Sequence, residues 1–137
     1  MKFEYPAKII IAWGEAISGN AKMRDWLTTN GYPELGLFSF ALRNKDDARK
    51  WLMENGHPHL MALINGAEGN PNALMWLKKF DFDVLEKMAR AGDNDDAALR
   101  WLYENDLNDM AVIAQKIRFV KNEIESDNND AHKISSE

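Results

Sequence analysis

The chain has 137 residues, 45% hydrophobic and 28% charged, which bounds it to one globular domain long enough to bury a core. The formal net charge is −5, of which −3 falls after Val120 (Lys121 and Lys133 against Glu123, Glu125, Asp127, Asp130 and Glu137), leaving −2 on the body. A near-neutral body lacks the basic face from which nucleic-acid domains draw affinity, and the absence of cysteine excludes disulfides, thiol catalysis and Cys-ligated zinc.

Trp26, Trp51, Trp76 and Trp101 recur every 25 residues, each followed by a leucine: Leu27, Leu52, Leu77 and Leu102. With Trp as zero, further apolar or small columns recur. They fall at −3 (Met23, Ala48, Ala73, Ala98), +9 (Leu35, Leu60, Leu85, Met110), +12 (Phe38, Leu63, Met88, Ile113) and +16 (Leu42, Ala67, Gly92, Ile117). A gapless period of this kind marks a repeat array whose units must stack to bury their faces. Each unit divides into a helix A, with −3, 0 and +1 on one face, and a helix B, with +9, +12, +13 and +16 on another.

In chain order, residues 1–20 align as an orphan helix B, with Ile10, Trp13 and Ile17 in the +9, +12 and +16 columns. The apolar run there is short and interrupted by Glu4 and Pro6, unlike a signal peptide or membrane span, so a cytoplasmic chain intact from Met1 is expected. Unit one, near 20–44, has Gly31 at its corner, suited to a left-handed helix end, and Pro33, suited to the first turn of helix B. Unit two, 45–69, repeats this with Gly56 and Pro58 after a looser start at Arg43-Asn44-Lys45-Asp46-Asp47. Unit three, 70–94, opens with Asn70 as N-cap and Pro71 at N1, and unit four, 95–126, opens at Asn94-Asp95. The corners of units three and four carry Asp and Asn, where side-chain caps can replace the Gly-Pro pair.

The last helix B keeps Ile113, Ile117, Val120 and Ile124 on one face and is expected to run to about Glu125 as a capping helix. Residues 127–137 hold almost no apolar side chains and read as a disordered acidic tail. The expected fold is an all-α solenoid of four 25-residue helix–turn–helix repeats, with an N-terminal half-repeat and an extended C-terminal capping helix, in one domain over 1–126.

The run Trp51-Leu52, then Asn55-Gly56, then Pro58 resembles the ankyrin-like helix–turn–helix repeats, in which a second helix ends in leucines followed by Asn-Gly. Pro58 stands where the Thr-Pro-Leu-His helix start of those repeats has its proline. The resemblance runs from residue 1 to about 120 and implies a stack of short antiparallel helix pairs. A period of 25 rather than about 33 leaves no β-hairpin finger, and His57-Pro58-His59-Leu60 replaces Thr-Pro-Leu-His, so no finger residues carry over.

Three groups of residues invite a chemical reading. His57 and His59 sit two apart at a corner but lack a third ligand, and Tyr, Phe or Leu fills the position of His57 in other units, so His57 reads as a half-buried corner residue. The four repeated Trp residues could stack on bases, but their column reads as core, as does Trp13. Asp46-Asp47 and Asp95-Asp96 could form a carboxylate pair, but each lies in the first turn of a helix A, where the macrodipole favours negative charge. No nucleophile–base, phosphate-loop or HExxH pattern occurs, so no catalytic residue, cofactor or metal is expected.

One helix departs from its column. At +11 and +14 of helix B, unit one has Leu37 and Phe40, so Pro33–Leu42 is apolar almost all round. With Ala62 beside them and Lys87 and Arg90 further along, these residues form a candidate protein-binding patch, unless the segment containing Phe3 and Tyr5 folds back over it. The expected function is a non-enzymatic protein–protein interaction module or scaffold, binding an unknown protein or self-associating, as monomer or homodimer, with no membrane and no nucleic acid. The alternatives are a nucleic-acid-binding helical repeat and, third, a small-molecule-binding or enzymatic domain.

Overall fold

The computed structural model describes the backbone of residues 3–136 and the side chains of residues 3–128. Among the described residues there are nine helices and no strand. The orphan helix is α1 (Ala7–Ile17). The four A helices are α2 (Ala21–Thr29), α4 (Asp46–Glu54), α6 (Pro71–Lys79) and α8 (Asp96–Glu104). The B helices are α3 (Pro33–Leu42), α5 (Pro58–Ala67), α7 (Asp83–Gly92) and α9 (Asn108–Ser136).

Every break between helices uses the same device. Gly19, Gly31, Asn44, Gly56, Gly69, Asp81, Asn94 and Asp106 all have φ between 59° and 102°, at alternating intervals of 12 and 13 residues. The following amide reaches back to a carbonyl in the last turns of the preceding helix: Tyr32 to Leu27, His57 to Leu52, Phe82 to Leu77 and Leu107 to Leu102, at 2.8–2.9 Å. Asn20, Lys45, Asn70 and Asp95 do the same to Glu15, Phe40, Asn65 and Arg90. The side-chain caps expected at the corners of units three and four are therefore corrected. Asp81 and Asp106 adopt the left-handed conformation themselves, which Asp and Asn tolerate better than other side chains, and α7 has no side-chain cap. At the A-helix starts, Asn20, Asn70 and Asp95 do cap through their side chains, whereas Lys45 in the looser second unit does not.

The series ends at Phe119, thirteen residues after Asp106, where a bulky side chain disfavours the left-handed region. Helix α9 accordingly runs straight on. It also passes Glu125 and continues to Ser136, so the backbone of 127–136 is helical where a disordered tail was expected.

Short corners make consecutive helices antiparallel neighbours. Each B helix packs on the next, and α9 returns to pack on α1, so the solenoid closes on itself. The +12 column meets in the middle of this ring: Trp13, Phe38, Leu63, Met88 and Ile113 are all buried. Helices α2, α4, α6 and α8 each lie outside the groove between two successive B helices, contacting both. They bury Leu27, Leu52, Leu77 and Leu102, with Ala48, Ala73 and Ala98. The repeated Trp residues are not core, contrary to expectation: Trp26 is exposed, and Trp51, Trp76 and Trp101 are half-buried on the flank. Adjacent helical positions lie about 100° apart, so Leu and Trp cannot both point inward.

Cations close the C-terminal ends of the B helices. Arg43 donates to Ile17 O (2.8 Å), Arg49 to Ala41 O (2.9 Å), Arg118 to Ala91 O (2.8 Å) and Lys121 to Leu42 O (3.1 Å). Lys121 reaches from α9 to the end of α3 and also lies 3.4 Å from Glu68 of the α5 end. Burial lowers its pKa, opposed by the neighbouring Glu68.

Two glycines separate backbone conformation from packing. A Cβ on Gly56 (φ 83°) would meet nothing within 4 Å, so Gly56→Ala should lose only the backbone preference, about 1–2 kcal/mol. A Cβ on Gly36 would strike Thr28 Oγ1 and lie 2.8 Å from Arg24 O, forcing α2 and α3 apart. Urea unfolding should show Gly36→Ala to be the more damaging change; equal losses would contradict this packing.

Candidate interaction surface

The five residues expected to form a patch do not share one open surface. Leu37 and Phe40 are half-buried, Ala62 is buried, and Lys87 and Arg90 are half-buried. The guanidinium of Arg24 sits 4.4 Å above the Phe40 ring, and Lys87 Nζ lies 5.5 Å from the Trp101 ring. Arg90 pairs with the buried Glu86, which lies 4.0 Å from Lys87 Nζ. This helical face therefore points into the crevices between consecutive A helices. Helix α3 is apolar nearly all round because it packs on α1, α2, α4 and α5 at once.

The N-terminal segment covers a different part of the ring. Phe3 packs against Trp13 (5.8 Å between centroids) and His59 (6.0 Å), while Tyr5 packs on Tyr32 and donates to Glu34 Oε1 at 3.0 Å. Burial, then the Glu34 carboxylate, pushes the Tyr5 pKa up. His57 stacks on Trp51 and lies 3.9 Å from Glu34 Oε2, as the corner reading implied. His59 stacks on Phe82, and its buried Nδ1 has no hydrogen-bond partner. Among the described residues, no group of three or more His, Cys, Asp or Glu is placed to hold a metal ion. The acid pairs stay apart in role: Asp95 caps α8, and Asp96 pairs with Arg118 at 2.8 Å.

An open apolar surface lies where the ring closes. Among the described residues, four grooves between neighbouring B helices are each covered by an A helix, whereas the fifth, between α9 and α1, has none. The +10 column measures the effect: Met61, Glu86 and Ala111 are 6%, 1% and 0% exposed, and Ile11 is 61% exposed. The +11 column agrees, since Ala12 and Ala62 are buried while Val112 is 42% exposed. Phe119, at the position where the helix fails to break, is 67% exposed.

Two adjoining hollows of about 370 and 270 Å³ follow this seam and share Val112 and Lys116. Gly14 lets α9 approach: a Cβ there would come within 3.2 Å of both Ile113 Cδ1 and Lys116 Cδ. The Lys116 stem thus lies along the groove floor, and its Nζ donates to Ser18 Oγ at 2.9 Å. The charged residues lining the hollows are Glu15, Asp109 and Glu123 with Lys116 and Arg43, the two acids Glu15 and Asp109 lying in the smaller hollow and Arg43 in the larger. Ile11 and Val112 were not singled out from the sequence. Their signal was positional: Ile11 occupies a column that meets its own unit's A helix and Val112 a column that meets the next one, and among the described residues neither helix is present.

No protein-family model, curated protein or solved structure matches the chain. Among the described residues, no helix is long and apolar enough to cross a membrane.

His59 gives this region a pH dependence. Burial, then the neighbouring His57, lowers its pKa from 6.5 to about 4, so the folded state binds its proton less readily than the unfolded chain. The associated stability is fully present above pH 6.5 and is lost as pH falls from there towards about 4. Replacing His59 with Phe, which can keep the stack on Phe82, should flatten the loss of stability between pH 6.5 and 4.5 relative to wild type, read by urea midpoints. An unchanged slope would contradict it.

Proposed function

We propose that the chain is a non-enzymatic protein–protein interaction module, in keeping with the ankyrin-like resemblance, and that its docking surface is the α1–α9 seam. A cytoplasmic setting is part of the same proposal. The observation that carries it is the exposure of Ile11 at a position buried in every other unit. Burying an Ile or Val side chain stabilises by about 1.5–3 kcal/mol. Ile11, Val112 and Phe119 together make a contiguous apolar lining of two adjoining hollows, the usual mark of a recognition surface. The other exposed large hydrophobics, Trp26, Met53, Met75, Phe80 and Tyr103, line neither hollow.

Site-specific photo-crosslinking in cells tests the surface. A photoreactive side chain at Ile11, Val112 or Phe119 should give the same discrete protein adduct, and one at Met53 or Met75 should not. Equal labelling from both sets of positions would show that the seam is not the docking surface.

A further inference from the structure

The four covered grooves show what an inner-helix pair of this array accepts. Each holds an antiparallel helix of nine residues. Three of the four bury an Ala and, four positions on, a Leu: Ala48 with Leu52, Ala73 with Leu77, Ala98 with Leu102. The seam is built from the same columns, with α1 offering the side that elsewhere meets its own unit's A helix and α9 the side that elsewhere meets the next one. Two differences set it apart. Lys116 stands where the other B helices carry Ala16, Ala41, Gly66 and Ala91, and Gly66 packs there against Leu74, the residue following Ala73. The smaller hollow carries two acids, Glu15 and Asp109, against Lys116, with Asp109 near the end where the C-terminus of an A-type helix would lie.

Resting on the interaction reading above, we propose that the seam takes a partner's amphipathic α-helix of about three turns, antiparallel to α1. It carries a small residue and a leucine four positions later, a carboxylate directly after the small residue to meet Lys116, and basic residues towards its C-terminal end. The helix acts as a fifth A helix supplied in trans. A second copy of this chain fits less well. Its own A helices already occupy grooves, so a second copy has no free helix of this kind to offer among the described residues.

The chain itself supplies the probe. A labelled peptide of residues 69–80, GNPNALMWLKKF, with Leu74→Glu has the small residue, the carboxylate, the leucine and two lysines towards its C-terminal end. Titrated into the full chain, it should bind saturably by fluorescence anisotropy. Ile11→Glu and Val112→Glu in the protein should each weaken binding about tenfold or more, as should Leu77→Asp in the peptide. Amide shifts of isotope-labelled wild type need no variant and should centre on Ile11, Gly14, Val112 and Phe119. Absence of saturable binding, or shifts confined to another groove, overturns the proposal. Light scattering distinguishes the two levels: a wild-type dimer that Val112→Glu converts to a folded monomer would put a second copy in the seam, refuting the partner helix while leaving the interaction surface in place.

Discussion

A left-handed residue at each helix end, recurring at 12- and 13-residue intervals, is the constraint on which the rest of the structure depends. It limits the helices of the repeats to about three turns, too short to be stable alone in water. It also turns the chain sharply enough that each helix packs antiparallel to the last. Four such positions are Gly and four are Asn or Asp, the residues that enter this region at least cost. The side-chain columns are in register because the punctuation is. Trp13, Phe38, Leu63, Met88 and Ile113 can share one core only if every intervening segment has the same length. Where Phe119 replaces the left-handed residue, the folding-back stops and α9 runs on.

Closure converts that punctuation into a surface. An open solenoid has two unlike ends, usually covered by polar caps. Here the two ends meet, with Lys121 bonding Leu42 O across the ring and the Lys116 stem lying over Gly14. Among the described residues, five inner helices enclose five grooves, and four A helices cover four of them. The remaining groove keeps the apolar character of its columns in Ile11 and Val112. Its floor is narrowed by Lys116, whose charged head reaches Ser18 and whose stem shields part of the apolar surface.

Much of the fold was legible in the sequence. The period, the helix pairs, the left-handed Gly31 and Gly56, the Asn70 cap and the orphan helix all follow from local signals that tertiary contacts reinforce. Closure was not legible, because a repeat length specifies what each unit contains and leaves open the rotation between units. The Trp column was misread for a related reason. Its regularity suggests burial, but Leu52 and its counterparts already take the inward direction, leaving Trp51 beside His57 on the flank. Leu37 and Phe40 are half-buried because a B helix here meets the core, its own A helix and the next one, so little of its circumference is open. The candidate site lay instead at residues ordinary in themselves, Ile11 and Val112, whose distinction is a missing neighbour.

The most direct test of this account is whether α1 and α9 are in contact in solution. The chain has no cysteine, so cysteines placed at exposed Ile11 and Val112 would be its only thiols and can carry spin labels without background. Packed helices lie about 8–10 Å apart, so a closed ring predicts a short and narrow distance distribution between the two labels, broadened only by their linkers. A long or broad distribution would mean an open array, and with it the seam and everything inferred from it would fall.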